Sequence, residues 1–289
     1  MTDRGFVLKL CCADAPGLVA EVSTYLFGAC CNILEAQQYN DVDTGRFFMR
    51  IRFEPIEGRS EVDAERLRVN FQPIADRRGM EWTLGCCDER KRVLILVSRL
   101  DHCLTDLLYR RRLGELKMEV TAVVSNHPRE ALPALDLDGV PFHHLPLTGG
   151  ARAEQEALLW GLIQSTGSEL VVLARYMQVL SDDLAARLEG RCINIHHSFL
   201  PGFKGARPYH QAHHRGVKLI GATSHFVTGT LDEGPIIEQD VERISHRDTV
   251  EDLIRKGRDI ERRVLARAVR AYLDDRIMLN GSKTVVFEP

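Results

Sequence analysis

Cys192-Ile193-Asn194-Ile195-His196-His197-Ser198-Phe199-Leu200-Pro201, followed after an interval by His225-Phe226-Val227-Thr228-Gly229-Thr230-Leu231-Asp232-Glu233-Gly234-Pro235, decides how the chain is read. The short apolar run ending in Asn194 and His196 predicts a strand. Side chains two apart share one face, so both polar groups aim at one point. Beyond Pro201 a loop containing Gly202, Lys204 and Gly205 leads to a helical segment. Gly221 to Val227 then reads as a second strand, which carries His225 into a turn holding Asp232. An amide donor and an imidazole can bind a carbonyl oxygen as it becomes an oxyanion, and a carboxylate can take a proton from the attacking nucleophile. Such a site needs no side-chain nucleophile.

Each half of the pattern has a plain structural use. Asn-x-His at a strand end can cap the next loop, and Leu-Asp-x-Gly-Pro is a common turn. Turn chemistry alone gives no reason for a second His-bearing strand to end near the Asp. His210, His213 and His214 share one helix face, a spacing that suits a metal. Without a Cys or carboxylate to complete the set, they read as a solvated face, and no metal is expected.

Working outward, strands at Val93–Val97, Glu119–Ser125, Pro141–Leu145 and Leu170–Ala174 alternate with helices at Cys103–Leu113, Glu130–Leu135, Ala153–Gln164 and Asp182–Leu188. This order predicts an α/β domain with a mostly parallel, Rossmann-like sheet covered on both faces. Sites in such sheets form at the C-terminal strand ends, where Asn194 and His196 fall. The loop Ser98-Arg99-Leu100-Asp101-His102-Cys103 lacks the glycines of a dinucleotide fingerprint. A helix over Thr249–Leu273 and a short strand at Lys283–Phe287 close the chain.

Toward the N-terminus, strands at Phe6–Cys12, Ile33–Asn40, Arg46–Phe53 and Met80–Cys86, with helices after Asp14-Ala15-Pro16-Gly17 and over Val62–Arg77, give a ferredoxin-like βαββαβ order. Asp14 is placed to cap the first helix and Pro16 to sit in its first turn. In the third strand, Phe47, Met49, Ile51 and Phe53 face one way and Arg46, Arg50 and Arg52 the other. The polar junction Asp88–Arg92 separates a first domain, 1–87, from a second, 88–289.

A net charge of −3 argues against nucleic-acid partners, which require a basic excess or stripe. Arg110-Arg111-Arg112 suits the last turn of a helix instead. No apolar run reaches membrane-spanning length, and no basic-then-apolar leader opens the sequence. The eight cysteines include three adjacent pairs without CxxC spacing, so reduced thiols and a cytoplasmic location are expected.

Asn194-Ile-His196-x-Ser198-x-Leu200-Pro201, with His225-Phe-Val-Thr and Leu231-Asp232-x-Gly234-Pro235, resembles the folate-dependent formyltransferase family. The resemblance implies that Asn194 and His196 bind the formyl oxygen and that Asp232 handles the proton; His225 is expected to support Asp232 or to pack the strand. Leu173-Ala-Arg175-Tyr176-Met177 resembles the segment lining the family's pterin pocket. In relatives that formylate glycinamide ribonucleotide, the loop corresponding to 98–103 is rich in glycine and serine and holds the acceptor's phosphate; this chain departs from that. The departure implies water as acceptor: hydrolysis of 10-formyltetrahydrofolate, as substrate, to tetrahydrofolate and formate, without a permanently bound cofactor. Three alternatives remain: transfer to a small amine, a zinc hydrolase built on His196, His225 and Asp232, or a non-catalytic amino-acid sensor.

The stretch from the first strand through Asp14-Ala-Pro16-Gly17-Leu18 resembles the regulatory ACT domain. That resemblance implies a homo-oligomer and an amino-acid effector, glycine or methionine, near Asp14 and Gly17.

Overall fold

A computed structural model describes residues 5–57, 62–147, 152–202 and 208–289. Lys204 and Gly205 of the loop expected beyond Pro201 lie outside the described residues. Contacts divide the chain into two units. One comprises Met1–Arg90, Asp274–Asn280 and Val285–Pro289, and the other Lys91–Leu273 and Gly281–Thr284.

The first unit contains β1 (Phe6–Ala13), α1 (Leu18–Gly28), β2 (Cys31–Asp41), β3 (Arg46–Pro55), α2 (Ala64–Arg78) and β4 (Glu81–Cys86). Its sheet runs β2-β3-β1-β4, antiparallel throughout. Leu18, Val22 and Leu26 of α1 pack with Leu67, Phe71 and Ala75 of α2 on the face carrying Phe47, Met49, Ile51 and Phe53. Here the alternation of β3 holds. Asp14 does not cap α1. Gly17, at φ 90, is the N-cap and no side chain bonds the helix end, while the Asp14 N–H donates to the Gly45 carbonyl (2.9 Å). Pro16 accordingly precedes the helix rather than entering its first turn.

The opposite face of β3 differs from the expected arginine-lined surface. Phe48 and Arg50 are buried there. Phe48 and Cys11 pack with Phe287, Met278 and Val285. Arg50 donates to the Asp274 and Asp275 carbonyls at 3.0 and 3.1 Å and pairs with Glu35 at 2.9 Å.

The second unit adds β5 (Lys91–Val97), α3 (His102–Arg112), β6 (Met118–Ser125), β7 (Phe142–His144), α4 (Arg152–Ser165), β8 (Leu170–Leu173), α5 (Asp182–Arg187), β9 (Cys192–His196), α6 (Pro208–His214), β10 (Leu219–Phe226), β11 (Ile236–Arg243) and α7 (Val250–Leu273). The chain ends in a pair, β12 (Ile277–Asn280) and β13 (Lys283–Val286). The seven-stranded sheet is ordered β11-β10-β9-β8-β5-β6-β7. Five strands, β9 to β7 in that order, are parallel, and β10 and β11 extend the sheet antiparallel.

Three elements depart from the sequence reading, among them the short strand β12, which it did not expect. The helix expected at Glu130–Leu135 is only a 3-10 turn, Arg129–Ala131. Pro133 excludes the helical region for Leu132, which sits at φ −125, ψ 58. The unexpected β11 hides its pattern behind charge: Asp240 lies 3.3 Å from Arg267 and 3.4 Å from Arg263 of α7. Arg110–Arg112 do end α3, as the dipole favours. Among the described residues no helix is long and apolar enough to cross a membrane.

Candidate active site

Antiparallel pairing of β9 with β10 sets Asn194 opposite His225 and His196 opposite Thr223. Asn194 Nδ2 lies 3.2 Å from His225 Nε2, and His225 Nδ1 lies 2.8 Å from the Phe226 carbonyl oxygen. A carbonyl can only accept, so Nδ1–H donates to it, and Nε2 faces both the Asn194 amide and Asp232. The second amide hydrogen of Asn194 remains for the cavity. Buried Thr223 fixes the exit from β9: its Oγ1 donates to the Ser198 carbonyl (2.9 Å) and accepts from the Leu200 N–H (3.0 Å) and Gln239 Nε2 (2.9 Å).

Asp232 arrives from the loop after β10, at a left-handed φ of 56. The Phe226 N–H donates to the Pro235 carbonyl (2.9 Å), which ties the loop back to the strand end. Gly234 permits this closeness, since a Cβ there would lie 1.7 Å from the Phe226 oxygen. We expect Gly234→Ala to destabilise the protein by about 1–3 kcal/mol through overpacking. Thermal melting checks it; an unchanged melting temperature would show that the turn adapts.

Asp232 Oδ1 lies 3.2 Å from His196 Nδ1 and 3.7 Å from His225 Nε2. Burial works to raise the Asp232 pKa, but hydrogen bonds and charge from His196 and His225 outweigh it and hold the carboxyl well below its ordinary value. His196 is buried, and its Nε2 has no hydrogen-bond partner among the described residues. Desolvation, reinforced by the Arg175 charge, lowers the neighbouring His197 to about 4.

Asn194, His196, His225 and Asp232 line one cavity of about 660 Å³. Leu173, Arg175, Tyr176 and Met177 line it as well, so every substrate-binding and catalytic candidate meets in one place. Tyr176, Leu180 and Leu173 are buried, whereas Met177 stands 60% exposed at the cavity edge. Arg175 is not a free cation there: its side chain is buried and its Nε lies 3.3 Å from Glu261. Asp14 and Gly17 belong to the first unit. His213 and His214 are exposed on α6, as a solvated face should be, and His210 borders the cavity.

The sequence reading missed a second polar group in this cavity. Glu261, 1% exposed, accepts from the Tyr209 hydroxyl at 2.6 Å and meets His102 Nε2 at 2.9 Å. Burial pushes the Glu261 pKa up, yet His102, Arg175 and Tyr209 outweigh it and keep it below the ordinary value. One signal was available. Gly257 and Glu261 are four apart on the stripe of α7 that also carries Leu253, Ile260 and Val264, where neither residue belongs by apolar packing. His102, Cys103 and Glu261 bring ligand atoms within 4.8 Å of one another, but the guanidinium of Arg175 already faces that carboxylate.

Residues 91–269 match the Formyl transferase family. The formyltetrahydrofolate deformylase of Corynebacterium sp. (strain P-1) is 47% identical over 97% of this chain and 97% of its own length. The crystal structure of formyltetrahydrofolate deformylase from Burkholderia mallei ATCC 23344 is 52% identical, with a TM-score of 0.93 over 99% of this chain and 100% of that one. Glycinamide ribonucleotide transformylase 1 from Symbiobacterium toebii is 32% identical, with a TM-score of 0.65, and covers 69% of this chain and 95% of its own. A seven-stranded sheet with this cavity, joined to a βαββαβ unit and matched over nearly its whole length, makes the chain a member of the formyl transferase family, in its formyltetrahydrofolate deformylase branch.

Proposed function

We propose that the chain hydrolyses 10-formyltetrahydrofolate to tetrahydrofolate and formate, with Asn194, His196 and Asp232 as its catalytic residues. The observation that carries the residue assignment is their convergence: two hydrogen-bonding groups and an ionised carboxylate line one cavity, and the buried His196 Nε2 has no partner among the described residues. Leu173, Tyr176 and Met177 supply an apolar wall suited to a pterin ring. Water attacks the formyl carbon, and the developing oxyanion takes hydrogen bonds from Asn194 Nδ2 and His196 Nε2. Asp232 orients the water and receives its proton; the C–N10 bond then breaks, formate leaves, and N10 takes up a proton. His225 holds the Asn194 amide in register.

The free Nε2 supports a second division of labour between the same residues. With Nδ1–H given to Asp232, neutral His196 presents a lone pair and can itself accept the proton from water, in the manner of a carboxylate-oriented imidazole base. The sign of the pH dependence separates the two. Donation from Nε2 needs the imidazolium, so turnover falls as pH rises; a base needs the neutral ring, so turnover rises with pH. Asp232, held low, contributes no limb above about pH 4. In either case we expect the limb to vanish in His196→Gln, and a limb that persists would assign it elsewhere.

Formate release by purified protein without added amine tests the activity itself; formate appearing only when an amine is supplied would point to transfer. A homo-oligomer built through the βαββαβ unit and an amino-acid effector, glycine or methionine, near Asp14 and Gly17 complete the reading. Titration calorimetry on the whole chain checks the effector, and absence of heat with both amino acids removes it. Reduced, cytoplasmic surroundings suit eight cysteines of which none is in a disulfide.

A further inference from the structure

Glu261 is a buried acid in the same cavity that the hydrolysis, as proposed above, does not use. Both of its oxygens are engaged: Oε1 by the Tyr209 hydroxyl at 2.6 Å, and Oε2 by His102 Nε2 at 2.9 Å and Arg175 Nε at 3.3 Å. The Arg175 contact is an ion pair without good hydrogen-bond alignment, since that Nε has no bonded partner among the described residues.

Arg175 is also unusual in its backbone. It sits at φ 64, a left-handed conformation that non-glycine residues hold only when their surroundings impose it. Two hydrogen bonds flank it. The Ser98 N–H donates to the Arg175 carbonyl (3.3 Å), and the Met177 N–H donates to Ser98 Oγ (3.0 Å). The chain leaving β8 is thus fixed by Ser98 through its backbone and by Glu261 through a side chain. Residues 173 and 175–180 of this segment line the cavity.

The geometry of α7 is arranged around the same carboxylate. A Cβ at Gly257 would lie 2.1 Å from both the Tyr209 ring and its hydroxyl. Glycine is a poor residue for a helix interior, and at this position it leaves the space through which Tyr209 reaches Glu261. A buried ion pair adds little stability over a well-packed apolar pair, but it does hold its partners in one geometry.

We infer that Glu261 is a positioning residue for the hydrolysis: clamped by His102 and Tyr209, it holds Arg175, and through Arg175 the wall of residues 173–180 against which the folate lies. The inference rests on the proposed function. A structural role alone would lower stability and leave the kinetic constants of the folded enzyme unchanged.

The test is steady-state hydrolysis of 10-formyltetrahydrofolate by full-length wild type, Glu261→Gln, Arg175→Met and the double variant, with thermal melts alongside. We expect KM to rise roughly tenfold or more in Glu261→Gln while kcat stays within about threefold, the signature of lost substrate positioning. Arg175→Met should raise KM by a similar factor, and the double variant should add nothing further because the pair acts as one unit. Unchanged KM with a lowered melting temperature, or effects that multiply in the double variant, would overturn the assignment. Should Glu261→Gln fail to fold, Tyr209→Phe takes its place, since it removes only a hydroxyl and keeps the ring opposite Gly257. A rise in KM there supports the inference and an unchanged KM overturns it. Wild type that releases no formate would instead defeat the functional reading, and the ratio of tetrahydrofolate dissociation constants between wild type and variants would then decide the positioning role.

Discussion

Asp232→Asn is expected to lower kcat for formate release by roughly 10³- to 10⁴-fold, because it removes a carboxylate in contact with both site imidazoles. Asparagine keeps the volume and fits the turn at φ 56, a conformation it tolerates well, so the fold should persist. The stability of the variant carries its own signature. Asp232 has a folded-state pKa below its unfolded value, so the stabilisation it provides is fully present above about pH 4 and is lost as pH falls through the depressed value. Wild type should therefore melt higher than Asp232→Asn at pH 7, and the gap should close on acidification below about pH 4. A loss of turnover under tenfold would remove Asp232 from the chemistry.

His196→Gln is expected to cost on the order of 100- to 1000-fold in kcat, the usual effect of losing one oxyanion donor. Glutamine can still offer an N–H but cannot complete the pairing from Asp232 through a ring to the cavity. If the two residues act as a unit, the double variant with Asp232→Asn should be scarcely slower than the worse single variant. Multiplying effects would mean that they serve separate steps. The melting temperature of each variant, measured alongside, distinguishes lost chemistry from lost fold.

The candidate constellation was legible because its residues are close in sequence and governed by simple periodicities. Asn194 and His196 share a face through the two-residue repeat of a strand, and His225 precedes Asp232 by one turn. What the sequence concealed involves partners distant along the chain. Glu261 reads as one more charged residue of a helix rich in arginine and glutamate, until His102, Arg175 and Tyr209, from three other segments, are seen to converge on it. Arg175 shows its charge in the sequence, where it reads as part of a pocket wall, but not the buried carboxylate it faces. Strand β11 was missed because acidic side chains that would suggest solvent are paired with arginines of α7. Asp14 has the right residue type for a helix cap, but a left-handed glycine three positions later starts the helix.

The far end of the chain, with Phe287 and Met278 packed on Phe48, bears on how the protein is made. Domains generally fold as they leave the ribosome, the N-terminal one first. Here the first unit can form its sheet early, but Phe48 and Cys11 stay uncovered and Arg50 lacks its carbonyl partners until the segment 274–287 has been synthesised. A nascent chain stalled before Asp274 therefore presents an apolar face with a half-paired arginine, a ready target for chaperones, and truncation from the C-terminus damages the N-terminal unit.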